Sequence, residues 1–474
     1  MLKQVIKKEF LTAVRDVRLQ VSGAILIILM LTAVVVGKEG QKQLQAQRAE
    51  AQSEMYEVWL NQGEKHPHSA AHYGLFAFKP KPVLSFLDVG LDNYTGISVF
   101  LEAHKQNEVM FSAAQESNGM TRFGEMTAAL ILQLLLPLLI IFLTFNIFSK
   151  EREEGTLKLI HAQGLSLRQL FMGKVWGTFL MVMFLYIPIV LLAYGLLDRQ
   201  SAVVDGSVST KFLLLTLGYA VYFLVFILLC VFISAFAKNS GLSLLSLLGI
   251  WILACIILPK ASANLADKVY PTPSQFEFKK TIKDKVKNGI DGHNPKDTRL
   301  ASLKQQVLDQ YGVSTVKELP VNWGGIAMQA GEEYTDHVYD QEFSKIESIF
   351  YQQNRLSEWA GFINPFLAVR NLSMALAGTD FQHHVAFARA AESYRRAFVK
   401  KMNKDMEVNH KPGIAYGDYN VGREMWSSIA PFEYQLPSPS AILQTQWRGI
   451  AALLFWCLGL LLVSYLYAPK ISKL

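Results

Sequence analysis

SKEREEGTLKLIHAQGLSLRQLFMGK, residues Ser149–Lys174, lies between two long apolar runs and decides how the chain is read. A polar stretch so placed is a loop at a membrane face. Lys150, Arg152, Lys158, Arg168 and Lys174 assign that face to the cytoplasm by the positive-inside rule. Glu151, Glu153 and Glu154 crowd the first turn of a predicted short helix, where the helix dipole favours anions. Leu157 and Ile160 then fall three apart on one face of it, and Gly164 stops it. Ser166, followed three residues later by Gln169, predicts the start of a second helix that runs into the next span. The same acids would also serve as plain caps of a solvated loop.

Working outward, the chain has 474 residues, 51% of them hydrophobic and only 18% charged. Its mean hydropathy of +0.22 exceeds what a soluble globular domain shows. Several apolar runs are long enough to cross the roughly 30 Å hydrocarbon core as helices. The predicted order begins with a basic amphipathic helix over residues 1–18, suited to the membrane interface. The first span follows over 19–37 and a polar insertion over 38–125, which begins as a helix extending out of the span through Gly40–Leu60. Residues 126–258 hold the second to fifth spans, with the loop 149–174 among them. Pro137 predicts a kink in the second span, Pro188 lies in the third, and Asp198, Arg199 and Asp205 mark the connection between the third and fourth spans. A second insertion covers 259–447, and residues 448–474 form the sixth span and a short tail. The expectation is an all-α membrane protein of six transmembrane helices carrying two mainly helical extracytoplasmic insertions, with both termini cytoplasmic. The net charge of +7 sits largely beside the spans, so topology explains it without nucleic acid. Cys230, Cys255 and Cys457 all lie in apolar runs and staple nothing outside.

As drawn, the six spans contain no Asp, Glu, His, Lys or Arg. Ion-coupled transporters need ionisable groups at membrane depth, and an intramembrane metalloprotease needs a His-Glu-x-x-His helix, so both classes are disfavoured. Gly173-Lys174 is followed by Val175 and has no glycine five positions before it, so it is not a phosphate-binding loop. Work across the membrane would need energy from a separate protein.

Glu151-Arg152-Glu153, Gly155-Thr156-Leu157 and Gly173-Lys174, in this register between two spans, resemble the cytoplasmic loop of ABC type-2 permeases. The resemblance implies a coupling helix, with Glu151, Glu153, Glu154, Gly155, Leu157, Ile160 and Gly164 as the residues that transmit force from a cytoplasmic ABC ATPase dimer. It implies no catalysis in this chain. ATP and Mg belong to the partner subunit, and one coupling helix per chain calls for a second permease chain, identical or paralogous. The setting implied is the bacterial inner membrane, with its lipid as a further partner.

In the first insertion, His66, His68 and His72 have a spacing that can hold a transition metal. Histidines in surface loops are common, no thiol or acidic cluster accompanies these, and His104 stands alone, so the sequence assigns no metal. His66–Gly74, Phe78-Lys79-Pro80 and Leu101–His104 resemble a domain family of unknown function attached to bacterial ABC type-2 permeases. Asn364-Pro365-Phe366, Leu372–Asp380 and Glu392–Arg396 share that resemblance. Physically, Asn364-Pro365 breaks one helix and starts another, and Gly378 with Thr379-Asp380 ends that helix and caps the next. Long helices are predicted over Ile326–Trp359 and Phe381–Met406, with Arg395 and Arg396 exposed. Two functions stay open: an exporter moving a substrate through a permease dimer, and a mechanical transmitter acting on an extracytoplasmic partner protein.

Overall fold

The structure is a computed structural model that describes residues 1–112, 126–197, 206–287, 298–411 and 413–473. Asp198, Arg199 and Asp205 lie outside the described residues. Among those described, six helices are long and apolar enough to cross a membrane: Val17–Leu60, Ala128–Glu153, Leu167–Gly195, Ser207–Phe236, Ser240–Val269 and Trp447–Ile471. They agree with the six predicted spans.

The first span continues out of the membrane as a helix through Gly40–Leu60, as its sequence predicts. It forms one unbroken 44-residue helix, about 66 Å long at 1.5 Å per residue, twice what the bilayer needs. Gly40–Leu60 has no proline, so nothing stops the helix at the membrane surface. The fourth span is the hub, packing on the second, third, fifth and sixth spans. Its inner side chains Tyr222, Phe223, Phe226 and Val231 sit in the main apolar core.

Two spans contain a wide π-helical turn directly before a proline: Ile131–Leu135 before Pro137, and Leu253–Ile257 before Pro259. Proline has no N–H to return to the preceding turn, so carbonyls there need other donors. The Tyr222 hydroxyl donates to the Gln133 carbonyl at 2.9 Å, and the Asn364 amide to the Ala254 carbonyl at 2.7 Å. Pro137 thus acts through a π-turn. The fifth span does not end at residue 258 but continues to Val269.

The two insertions do not fold separately. Trp59, Ala70, Leu75 and Val99 of the first share one core with Phe387, Phe398, Met402 and Trp426 of the second. The Trp59 indole donates to the Trp426 carbonyl at 3.0 Å, satisfying a buried polar atom. The first insertion also holds a small antiparallel sheet, β1 (Leu75–Phe78), β2 (Ser98–Glu102) and β3 (Lys105–Gln106), with Leu75 opposite Leu101 and Glu102 opposite Lys105. No strand was expected there.

The long helices run over Trp323–Ala360 and Phe381–Asn409, close to prediction. Between them the predicted corner is present. Asn364 caps Pro365–Ala377 by accepting from the Phe366 N–H at 3.2 Å. Gly378 takes the left-handed conformation, and Asp380 caps the next helix through the His383 N–H at 3.0 Å. Pro365–Ala377 buries Phe366, Leu367, Val369 and Leu376 in the membrane-side core, so the corner plugs the module onto the spans.

Arg395 corrects the sequence expectation. It is only 1% exposed, and it is paired with Glu392 at 2.8 Å, Glu332 at 3.3 Å and Asp336. Burial opposes its charge, but these carboxylates outweigh that and raise its pKa. Arg396 is partly covered and bonds Asp340 and Glu392, each at 2.7 Å.

Candidate functional site

The loop between the second and third spans is two short helices rather than one, Ser149–Glu153 and Thr156–Ala162. Gly155 separates them at φ 73°, a left-handed turn that only glycine adopts without strain. Ser166 caps the third span by accepting from the Gln169 N–H at 3.3 Å, as its spacing predicts.

Because the first of these helices starts at Ser149, only Glu151 lies in its first turn, with Glu153 at its end and Glu154 capping it; Glu151, Arg152 and Glu153 each tie the loop to a different element. Glu151 accepts from Lys174 Nζ of the third span at 2.7 Å. Arg152 donates to the Ala235 and Ala237 carbonyls at the end of the fourth span, a cation at a helix C-terminus. Glu153 accepts from the Ser240 N–H at 2.7 Å and its hydroxyl at 2.9 Å, an anion at the N-terminus of the fifth span. Ser149 Oγ lies 3.0 Å from Ser240 Oγ. Glu154 stays outside, near Lys150 at 3.8 Å.

Lys174 centres a buried ion cluster that the sequence did not reveal. It is 1% exposed and also reaches Glu9 at 3.3 Å and the Ile147 carbonyl at 2.9 Å. Lys8 stands 3.0 Å from Glu9 and 3.5 Å from Glu151. Burial alone would raise the Glu9 carboxyl, but Lys174 and Lys8 hold it below the ordinary carboxylate value. The leading helix Leu2–Arg15 can lie this close because the third span offers it glycines. A Cβ at Gly173 would stand 2.5 Å from Val5 Cγ1, and one at Gly177 2.7 Å from Glu9 Cβ. This is the physical content of Gly173-Lys174: a bare surface for the helix, then a cation for its glutamate.

The apolar face of the loop is turned inward. Leu157 is 6% exposed and belongs to the main core, with Ile160 packed partly against it. A partner cannot cover Leu157, which this chain already covers. The outward aliphatic residue is Leu159, 64% exposed, flanked by the exposed Glu154, Lys158 and Ala162. Gly164, at φ 87°, turns the chain back to the third span.

The predicted histidine set is also rearranged. His66 stacks on Tyr416 with ring centroids 3.8 Å apart, and its Nδ1 accepts from the His68 N–H at 3.2 Å, capping the helix Pro67–Tyr73. His104 does not stand alone but joins His68 and His72, with a ligand atom from each inside 4.8 Å. The i,i+4 spacing of His68 and His72 was visible in sequence. The third member was not, because it arrives from another element.

Residues 90–260 match the family described as ABC-2 family transporter protein. Residues 275–435 match a domain of unknown function, DUF3526. No curated protein matches the chain. Six membrane-length helices and these two adjoining matches are consistent with a membrane permease of the ABC-2 transporter family that carries a domain of unknown function in its second insertion.

Proposed function

We propose that this permease is the membrane subunit of an ATP-driven exporter and that the loop 149–164 is where a separate ATPase, using ATP and Mg, pushes on it. The supporting observation is the way consecutive charges distribute that loop. Glu151, Arg152 and Glu153 grip the third, fourth and fifth spans in turn. Displacing the loop therefore displaces three spans and, through Lys174 and Glu9, the leading helix. On this reading the loop and both termini are cytoplasmic, the fused module is extracytoplasmic, and the membrane is the bacterial inner membrane. Two permease chains face two ATPase subunits.

The docking face is the outward side, Glu154, Lys158, Leu159 and Ala162. Covering what Leu159 exposes is worth about 1–2 kcal/mol. The test is co-purification in detergent with the ATPase encoded beside this gene, wild type against Leu159→Asp, with Leu159→Cys for crosslinking. Reduced ATPase yield with Leu159→Asp and a crosslink from Leu159→Cys are expected. Full retention without a crosslink would place the contact elsewhere.

A second reading has the motion delivered to an extracytoplasmic partner protein with nothing crossing. The continuous helix Val17–Leu60 favours it, since it enters both the membrane core and the outer core. Reconstituted vesicles separate the two: ATP-dependent substrate movement supports export, and ATPase activity that only an outer partner stimulates supports transmission.

A further inference from the structure

The histidines of the outer module form a site that the transport reading does not use. His68 and His72 lie one turn apart on the helix Pro67–Tyr73, with their Nε2 atoms 3.2 Å apart. His104 comes from the turn between β2 and β3, its ring centroid 5.2 Å from that of His68 and 4.9 Å from that of His72. A tetrahedral ion with Zn–N bonds of about 2.0–2.1 Å holds its nitrogen ligands about 3.3 Å apart. The first pair already has that separation. Ligand atoms of all three fit within 4.8 Å, so closing the set takes a shift of about 1.5 Å at most.

His104 is prepared for the role by its surroundings. Its backbone is left-handed at φ 65°, an uncommon state for a residue that is not glycine. That conformation lets both its N–H and its Nδ1 meet one oxygen, Glu332 Oε1, at 2.9 and 2.7 Å. A carboxylate can only accept, so Nδ1 carries a proton, and in the neutral imidazole that leaves the lone pair on Nε2. This carboxylate–histidine arrangement is the one that orients metal-binding imidazoles. Glu332 is in turn held by Arg395 at 3.3 Å, on another helix.

We propose that His68, His72 and His104 bind one first-row divalent transition-metal ion in the outer module, with Glu332 as a positioning residue. The donor set is three imidazole nitrogens without thiolate, which suits Zn²⁺, Cu²⁺ or Ni²⁺ and not Ca²⁺ or Mg²⁺. His72 is exposed, so the fourth position opens to solvent, as in zinc sites that keep an exchangeable ligand. The ion would clasp the helix Pro67–Tyr73 to the β2–β3 turn and, through Glu332, to the long helix Trp323–Ala360.

The test uses the full-length protein in detergent, stripped with chelator and re-equilibrated with Zn²⁺, read by elemental analysis and by competition with a chromogenic chelator. One tight equivalent of Zn²⁺ is expected, unaffected by excess Mg²⁺. His72→Ala changes an exposed side chain, and His104→Asn keeps a residue that tolerates the left-handed turn; each should weaken binding at least ~100-fold. Glu332→Gln should weaken it ~10–100-fold while leaving the stoichiometry at one. His337→Ala, at an exposed histidine on the same long helix, is the control and should change nothing. X-ray absorption on the zinc-loaded protein should find nitrogen neighbours near 2.0–2.1 Å. Absence of a tight equivalent in the wild type, or equal binding by His72→Ala and wild type, overturns the site. So does equal loss in His72→Ala and His337→Ala.

Discussion

Replacing Lys174 by Met tests the cluster that joins the leading helix, the loop and the third span. The substitution keeps length and apolar volume and removes one charge. Glu9 and Glu151 then lose a partner at 3.3 and 2.7 Å. Removing one member of a buried pair costs about 3–5 kcal/mol, because the other charge stays behind. Here Lys8 still faces both carboxylates, and their side chains keep 12% and 15% exposure, so we expect about 2–4 kcal/mol. Acidification gives a second handle. A carboxyl with a lowered folded pKa stabilises the fold above its unfolded value, and that contribution is lost as pH falls through the folded value. Glu9 is such a group in the wild type. Without Lys174 its pKa rises towards or past the unfolded value, so the acid loss that Glu9 causes in the wild type shrinks or reverses in the mutant, and the gap in melting temperature between the two should narrow as pH falls. The assay is thermal melting in detergent from pH 8 to about pH 4, with Glu151→Gln and the double mutant completing a cycle. Less-than-additive losses are expected, since Glu151→Gln relieves part of the uncompensated charge. A Lys174→Met protein that melts with the wild type across this range would refute the reasoning, as would strict additivity.

Three further predictions follow from other contacts. Gly177→Leu puts a side chain where Glu9 Cβ and the Ile6 carbonyl already lie, so it should cost about 1–3 kcal/mol and expose the leading helix to protease; unchanged digestion would mean the helix is not seated there. Arg395→Met leaves Glu332, Glu392 and Asp336 without their shared cation and should destabilise the outer module by about 3–5 kcal/mol, read by limited proteolysis against the intact membrane part. A cysteine at Ser274, or at Asn118, which lies outside the described residues, should label from outside in intact cells; a cysteine at Ser166 should label only after permeabilisation, and the reverse pattern would invert the topology.

What the sequence made legible was local or compositional. The spans announce themselves by length and apolarity. The Asn364-Pro365 and Gly378–Asp380 corner is spelled by residues whose backbone preferences act within three or four positions. The loop was recognised, but its inner and outer faces were exchanged. A single-helix reading puts Leu157 and Ile160 outward, whereas the left-handed turn at Gly155 restarts the helix in a new direction. Arg395 looked exposed because two of its carboxylates, Glu332 and Asp336, come from a helix some sixty residues earlier. His66 was favoured over His104 for the same reason, since spacing sees neighbours in the chain and not neighbours in space. The strands were missed because β1 and β3 are too short for alternation to register.

The unbroken helix Val17–Leu60 fixes how angle converts to travel. With no flexible joint between the bilayer and Leu60, any tilt of its membrane half is reproduced at its far end, multiplied by length. Over about 66 Å, a tilt of about 5° sweeps Leu60 sideways by about 6 Å, roughly a full helical turn. Trp59, held to Trp426, would carry the second insertion along that arc. A rotation small enough to leave the packing among the spans intact is thus large enough, at the outer module, to open or close a binding surface.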